Sequence, residues 1–246
     1  MKTWPLRPRA ATRHRVVAAA FFAALVALTG CTAAEPDGPD AIFGTGPAGS
    51  PFALTASGVG VIAEGCSLVA SLGSGVVVER SGQVATAAHT IRGASRLTVI
   101  DAEGREHLAS VTSFDKDSDL ALLDVPTLTA PHLGIGLAQV GPASMITWRR
   151  SDGVTQQLVS VTRLLKINIE DIYADEVVQR TGLEVDADVV VGQSGGPVIN
   201  SNGDVIGIIY ATSKDRNGVG FATDHTELSK LIKARSAVGA ANGQCP

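Results

Sequence analysis

The chain has 246 residues, a formal net charge of -4 and an apolar fraction of 45%, enough to bury a sizeable core. Its basic residues outside the N-terminus are scattered, which leaves no electrostatic footprint for nucleic acid. Glycine is plentiful at 27, aromatics are few, and Val, Ile, Thr and Ser recur in short runs, a mixture that predicts many short strands joined by tight turns.

In chain order, Lys2, Arg7, Arg9, Arg13 and Arg15 precede a continuous apolar run from Val16 to Leu28. That pairing is the pattern of a secretory signal, and the run is shorter than the about 20 apolar residues that a membrane span needs. It ends in Leu28-Thr29-Gly30-Cys31, which resembles the lipobox of bacterial lipoproteins, where the cysteine is acylated and becomes the new N-terminus. Residues 1–31 are therefore predicted to be a lipoprotein signal. Cys31 would tether the mature chain to the cell membrane on its extracytoplasmic side.

Residues 32–57 are rich in Pro, Gly and Ala and read as a flexible linker. Gly44-Thr-Gly-Pro-Ala-Gly49 formally matches GxGxxG, but no strand precedes it and Pro47 obstructs the turn into a helix, so no dinucleotide site is read there. Cys66 and Cys245 remain on a chain bound for an oxidising compartment. Pairing them is the simple inference, with two buried thiols as the alternative.

From Gly58 onward short apolar runs alternate with turn residues: Val59 to Ala63, Ser67 to Leu72, Gly75 to Glu79, Val84 to Ala87, Arg96 to Ile100, Leu108 to Thr112 and Leu120 to Val125. After a connector from Thr127 to Gly141 a second series follows: Met145 to Arg149, Leu158 to Leu165, Val177 to Thr181, Leu183 to Val185, Pro197 to Asn200, Val205 to Tyr210 and Gly218 to Ala222. Such spacing predicts a barrel or sandwich in two similar halves, about 58–126 and about 140–236, within a domain spanning 58–246. Leu228, Leu231 and Ile232 then predict a helix over Thr226 to Ala234, capped by Asp224 or Thr226.

The sharpest chemical signal is Gly192-Gln-Ser-Gly-Gly-Pro-Val198. A serine hydroxyl is a weak nucleophile until a base takes its proton, and acyl transfer also needs N–H groups converging on the developing oxyanion. Glycines on both sides of Ser194 allow the tight turn that aims the amides of Gly192 and Ser194 into one space. Upstream, Val84-Ala-Thr-Ala-Ala-His89 sets a histidine at the end of a small-residue strand. Asp115-Lys-Asp-Ser-Asp-Leu-Ala-Leu-Leu123 then puts an aspartate directly before an apolar one.

Jointly these segments resemble the trypsin-like serine proteases, the bacterial Deg/HtrA branch and its actinobacterial relatives in particular. The matching phrases are GSGVVV from Gly73, TAAH ending at His89, DLALL from Asp119, GQSGGPV around Ser194 and GVGFAT from Gly218. The resemblance implies an all-β fold of two six-stranded antiparallel Greek-key barrels with a short C-terminal helix. It also implies a triad of His89 as base, Asp119 as its orienting acid and Ser194 as nucleophile, with an oxyanion hole from the amides of Gly192 and Ser194. Asp115 and Asp117 are the weaker choices for the acid, since the family places it directly before the strand.

By the same resemblance the substrate pocket would be walled by Asp188 to Val191, Ile209 to Ala211 and Gly218 to Phe221, with Asp188, Val191, Ile209 and Ala211 as its named candidates. Asp188 stands where trypsin carries its pocket-floor acid, whereas Val189 to Val191 with Ile209 suggest a pocket for a modest apolar side chain. Gln193 replaces the aspartate that digestive members pair with a new N-terminus, so that route of activation is absent. The chain also ends soon after the second barrel, leaving no room for a PDZ module. Protein or peptide substrates and a membrane are the expected partners, nucleic acid is not, and no cofactor is called for. His107, His132 and His225 lack partners at ligand spacing, so no metal site is read. The rival readings are a catalytically silent lipoprotein that keeps the fold for binding or sensing, and an esterase. The esterase lacks its helix after the nucleophile, because Pro197 and a strand-like run follow instead.

Overall fold

The computed structural model describes residues 51–234 and 242–245. The predicted signal, Cys31 and the linker up to residue 50 lie outside the described residues. Within them the chain forms twelve strands and three short helices.

Strands β1 (Gly58–Glu64), β2 (Ser71–Val77), β3 (Gln83–Ala87), β4 (Arg96–Ile100), β5 (Glu106–Asp115) and β6 (Leu120–Asp124) pair antiparallel in the order β1-β2-β3-β6-β5-β4. Pairing of β1 with β4 closes this sheet into a barrel. Strands β7 (Gly141–Arg149), β8 (Gly153–Glu170), β9 (Val177–Val185), β10 (Pro197–Ile199), β11 (Val205–Thr212) and β12 (Gly220–Asp224) follow the order β10-β11-β12-β9-β8-β7, and β10 with β7 closes the second barrel. Two closed six-stranded barrels are the architecture that the sequence predicts.

Period-two alternation decides what each strand fills. Val61, Val84, Val99, Val111 and Leu123 point into the first barrel, while Met145, Val161, Leu183, Ile206 and Ile209 point into the second. Ala85, Leu120, Leu122, Ile146, Ile199 and Ile208 form a third cluster that joins the barrels. Strand β6 is thus buried on both faces, which is why its run from Leu120 to Leu123 is continuously apolar rather than alternating.

Helix α3 (His225–Ala234) seals that middle cluster with Leu228 and Leu231. Asp224 is its cap, since Oδ1 accepts the amides of Thr226 at 2.9 Å and Glu227 at 3.4 Å. The predicted linker ends earlier than residue 57. Pro51–Ala56 is helix α1, and Leu54, only 7% exposed, packs into the middle cluster. Of the separate runs predicted at 67–72 and 75–79, residues 71–77 form the single strand β2, whereas Ser67 to Val69 are bends with Leu68 and Val69 exposed. β2 passes through Gly73 and Gly75, where neighbouring atoms leave no room for a β-carbon.

The hairpin of β8 and β9 is much longer than its apolar segments predict, with β8 alone running 18 residues. Its tip returns to the first barrel: Ile172 packs on that core, Arg92 Nη1 donates to the Ile172 carbonyl at 2.6 Å, and Lys116 Nζ meets Asp171 Oδ2 at 2.5 Å. The C-terminal tail joins the same place. Gln244 N donates to the Tyr173 hydroxyl at 2.9 Å, and Cys245 is disulfide-bonded to Cys66 with a Cα–Cα distance of 5.4 Å.

Candidate active site

Strand β3 ends at Ala87 and the chain turns at once into α2 (Ala88–Ile91), a single turn that carries His89. Small side chains allow this: Ala85, Ala87 and Ala88 are fully buried. From the tail, Asn242 Nδ2 donates to the carbonyls of Ile91 at 3.1 Å and Ala94 at 2.8 Å, satisfying acceptors at the end of the turn.

Because β3 and β6 are neighbours, the residue before β6 meets α2. Asp119 holds it at three points. Its Oδ2 lies 2.8 Å from His89 Nδ1, its Oδ1 accepts the His89 amide at 2.8 Å, and its carbonyl accepts the Ala88 amide at 3.1 Å. A carboxylate can only accept, so Nδ1 carries a proton, and in the neutral imidazole Nε2 is the nitrogen that keeps its lone pair. The carboxylate is shielded, with a side-chain exposure of 5% against 32% for the imidazole. Asp119 has φ +56°, a left-handed conformation that costs a non-glycine residue about 1–2 kcal/mol.

The other two acids of this segment have different work. Asp115 shapes the turn, accepting the Asp117 amide at 2.9 Å and the Ser118 hydroxyl at 2.6 Å. Asp117 is exposed and lies 3.1 Å from Lys116 Nζ. Asp117, Asp171 and Glu176 do converge, but the Lys116 ammonium stands among them, at 2.5 Å from Asp171 and 3.6 Å from Glu176. It supplies the positive charge that such a cluster needs, and holds the Asp171 carboxyl below the usual range. His107 is committed elsewhere, to Asp101 at 3.1 Å and Thr127 at 2.9 Å, while His225 Nδ1 accepts the Ala138 amide.

Ser194 sits half-buried in a turn that docks on the first barrel. Its carbonyl accepts the Ser74 amide at 2.7 Å, and a β-carbon on Gly73 would stand 3.0 Å from that same oxygen and closer still to Thr90, the neighbour of His89. Gly195, at φ +91°, fits against Ser74 O, Thr86 Oγ1 and the Ala87 amide, two residues before the histidine. The serine turn of one barrel is thereby pressed onto the strand end that bears the imidazole of the other.

Further bonds fix the turn's shape. Gly192 has φ +95°, and its carbonyl accepts the Ser74 hydroxyl at 2.8 Å. The Gly195 amide donates to Ile209 O at 2.7 Å, and the Ile209 amide to Gly196 O at 2.9 Å. Among the described residues, the amides of Gly192 and Ser194 make no hydrogen bond. Gln193 is buried and ties the turn down with a neutral amide, accepting the Val190 amide at 2.9 Å and donating to Thr147 Oγ1 at 3.2 Å. The sequence showed what Gln193 could not do; its bridging role needed the position of Thr147.

The pocket candidates divide. Asp188 is exposed, and its Oδ1 accepts the Gly218 amide at 2.7 Å, joining two loops. Val191 is 94% exposed and borders a cleft of about 390 Å³ with Leu72, Trp148, Arg149 and Gly192. Ala211 is half-buried. Ile209, read as a pocket wall, instead turns its side chain fully into the second core, because the shift in register between Ile209 and Ala211 reassigns the strand's faces. A second groove, of about 310 Å³, runs past His89 and is bordered by Cys66, Val69, Ser71, Thr90 and Arg92.

Paired barrels with a histidine–aspartate pair on one and a glycine-flanked serine turn on the other define a family. Residues 73–208, more than half of the chain, match the family model of the trypsin-like peptidase domain, and the chain belongs to that family. It is 31% identical over 178 residues to the serine protease Rv3671c of Mycobacterium tuberculosis, across 70% of this chain and 44% of the relative. To the serine protease Do-like HtrA of Lactococcus lactis it is 30% identical over 191 residues, across 70% of this chain and 46% of the relative. The crystal structure of the active form of the M. tuberculosis Rv3671c protease superposes with a TM-score of 0.72 at 28% identity, covering 79% of this chain and 87% of that one. The chain spans less than half the length of these two curated relatives.

Proposed function

We propose that this chain is a serine endopeptidase that cleaves peptide bonds through an acyl-enzyme, with Ser194 as nucleophile, His89 as base and Asp119 as the acid that orients it. The observation that carries the reading is the three-point hold of Asp119 on His89, beside a Ser194 turn docked on the same strand end. With Nδ1 bound to the carboxylate, Nε2 is the nitrogen available to take the Ser194 proton as Oγ attacks the scissile carbonyl. The amides of Gly192 and Ser194 then donate to the oxyanion. Collapse expels the amine, which takes the proton from His89, and water hydrolyses the ester by the same steps in reverse. Grooves beside both His89 and Gly192 suit an extended chain that passes through the site rather than ending in it.

Export and tethering belong to the same proposal. The basic N-terminus, the short apolar run and Leu28-Thr29-Gly30-Cys31 support a lipid anchor on Cys31 that holds the peptidase outside the cytoplasmic membrane. Among the described residues no helix is long and apolar enough to cross a membrane.

The deciding experiment is labelling with a fluorophosphonate probe. Wild type should react, and Ser194→Ala should fold but stay unlabelled; equal labelling would remove Ser194 from the role. Intact-mass measurement of membrane-extracted protein should show a diacylglycerol adduct at Cys31, and an unmodified soluble form would discard the anchor.

A further inference from the structure

Arg180 of β9 is only 4% exposed, and among the described residues no carboxylate pairs with it. A buried guanidinium is expensive to maintain unless its donors are met, so the groups that meet it are informative. Nε donates in a short hydrogen bond to the carbonyl of Asp117, and Nη2 reaches the carbonyl of Lys116 at 3.5 Å. The group lies over the Tyr210 ring, with Cζ 5.5 Å from its centre.

Both carbonyls belong to the turn between β5 and β6 that ends in Asp119. That turn has to deliver a non-glycine residue in a left-handed conformation, so it needs outside support. Asp115 braces it from within. Asp119 itself meets the amides of Ala88 and His89 in the first barrel, and further supports reach the turn from the second: Arg180 on residues 116 and 117, the Ile172 amide on the Lys116 carbonyl at 3.4 Å, Asp171 on the Lys116 ammonium, and Thr223 Oγ1 on the Ser118 carbonyl at 2.9 Å. Burial pushes the Tyr210 phenol up, and the charges of Arg180 and Asp119 act on it in opposite senses, which places all three in one electrostatic neighbourhood.

We propose that Arg180 is a positioning residue: reaching from the barrel that carries Ser194, it grips two consecutive carbonyls of the 115–119 turn and so holds Asp119 against His89. The inference rests on reading Asp119 as the triad acid. An arginine suits the task because its planar fork spans adjacent acceptors, which a lysine's point charge does not.

The test measures kcat, KM and the pH–rate profile for peptide hydrolysis by the full-length chain, with Asp119→Asn as a companion variant. Arg180→Met is expected to lower kcat about 30-fold or more with KM within about twofold, since small misplacements of catalytic groups are that costly. The acid limb should move to lower pH, because a displaced carboxylate no longer favours the charged form of the base. Arg180→Lys, which keeps the charge without the fork, should lose about tenfold. If Arg180→Met does not fold, Arg180→Lys and Thr223→Val are read by the same criteria. A kcat within about threefold of wild type and an unmoved acid limb would overturn the proposal even if the melting temperature fell, because only packing would then be lost. Wild-type activity in Asp119→Asn would instead overturn the triad reading itself. An inactive Asp119→Asn beside unimpaired Arg180 variants would overturn the clamp alone.

Discussion

The carbonyl oxygen of Ser74 lies where a β-carbon on Gly195 would have to stand. The same serine gives its amide to Ser194 O and its hydroxyl to Gly192 O, and takes the Trp148 amide at 2.8 Å. One residue of the first barrel thus docks the Ser194 turn of the second, and the closeness that makes this possible requires a glycine at 195.

Gly195→Ala should therefore be severe. Overpacking at a tight contact costs about 1–3 kcal/mol and the left-handed φ about 1–2 more. Labelling of Ser194 should slow by about 100-fold or more, because the turn must move off Ser74 to relieve the clash. Thermal melting measured with probe kinetics checks this. A variant that melts and labels like wild type would show that the turn has slack that the contact denies.

The bridge between Cys66 and Cys245 closes a sequence separation of 179 residues and fastens the tail that caps α2. A loop of that size is worth at most about 5 kcal/mol in the chain-entropy account. Replacing both cysteines by serine should lower the melting temperature by about 5–15 °C. Activity should fall with it, since Cys66 borders the groove beside His89 and Asn242 holds carbonyls at the end of the turn that carries His89. An unchanged melting point in the double variant would mean that the tail holds without its covalent tie.

The strands legible in the sequence are those with strong apolar runs, such as Leu120 to Leu123 and Val205 to Ile209, and Asp119 stands directly before the first of these. Other features rested on partners far apart in the chain. Beyond the run that ends at Leu165, β8 alternates polar with half-buried residues as far as Glu170, so its reach to Ile172 and the first barrel leaves no apolar run to read there. Helix α1 is six residues in a Pro- and Gly-rich stretch, and its reason for existing is the cluster that receives Leu54. Arg180 looks like an ordinary strand arginine until the turn at residues 116 and 117 is placed beneath it. The inward turn of the Ile209 side chain follows from a bulge beyond it that a run of apolar letters does not show.

Asp188 offers a direct test of what shapes the pocket. One of its oxygens is committed to the Gly218 amide, and the group is exposed rather than sunk at the base of a cavity. In this geometry it joins the 188 and 218 loops. Asp188→Ala should accordingly raise KM about three- to tenfold for all good substrates, the effect of losing one exposed hydrogen bond of about 1 kcal/mol. A peptide library read before and after the change would decide. Selective loss of cleavage after Lys or Arg would restore Asp188 as a specificity acid.

The neighbouring loop is pinned by a second carboxylate whose protonation makes the prediction pH-dependent. Glu184 of β9 is held by Arg216 at 2.5 Å and also by Arg163, and these guanidinium bonds, Arg216 foremost, pull its carboxyl down to about 2. In the unfolded chain the group titrates near the ordinary glutamate value of about 4.3. A depressed folded value means that the unfolded state binds the proton first, so the stabilisation is complete above about pH 5 and disappears as the pH falls toward 2. Wild type should therefore melt above Glu184→Gln at pH 7, with the gap closing through pH 4 and vanishing near pH 2. Both arginines are about half exposed, so salt near 1 M should narrow the gap at pH 7 as well. A gap that stays constant from pH 7 to pH 2 would show that Glu184 contributes through packing and neutral hydrogen bonds, with its charge playing no part in holding the 213–219 loop.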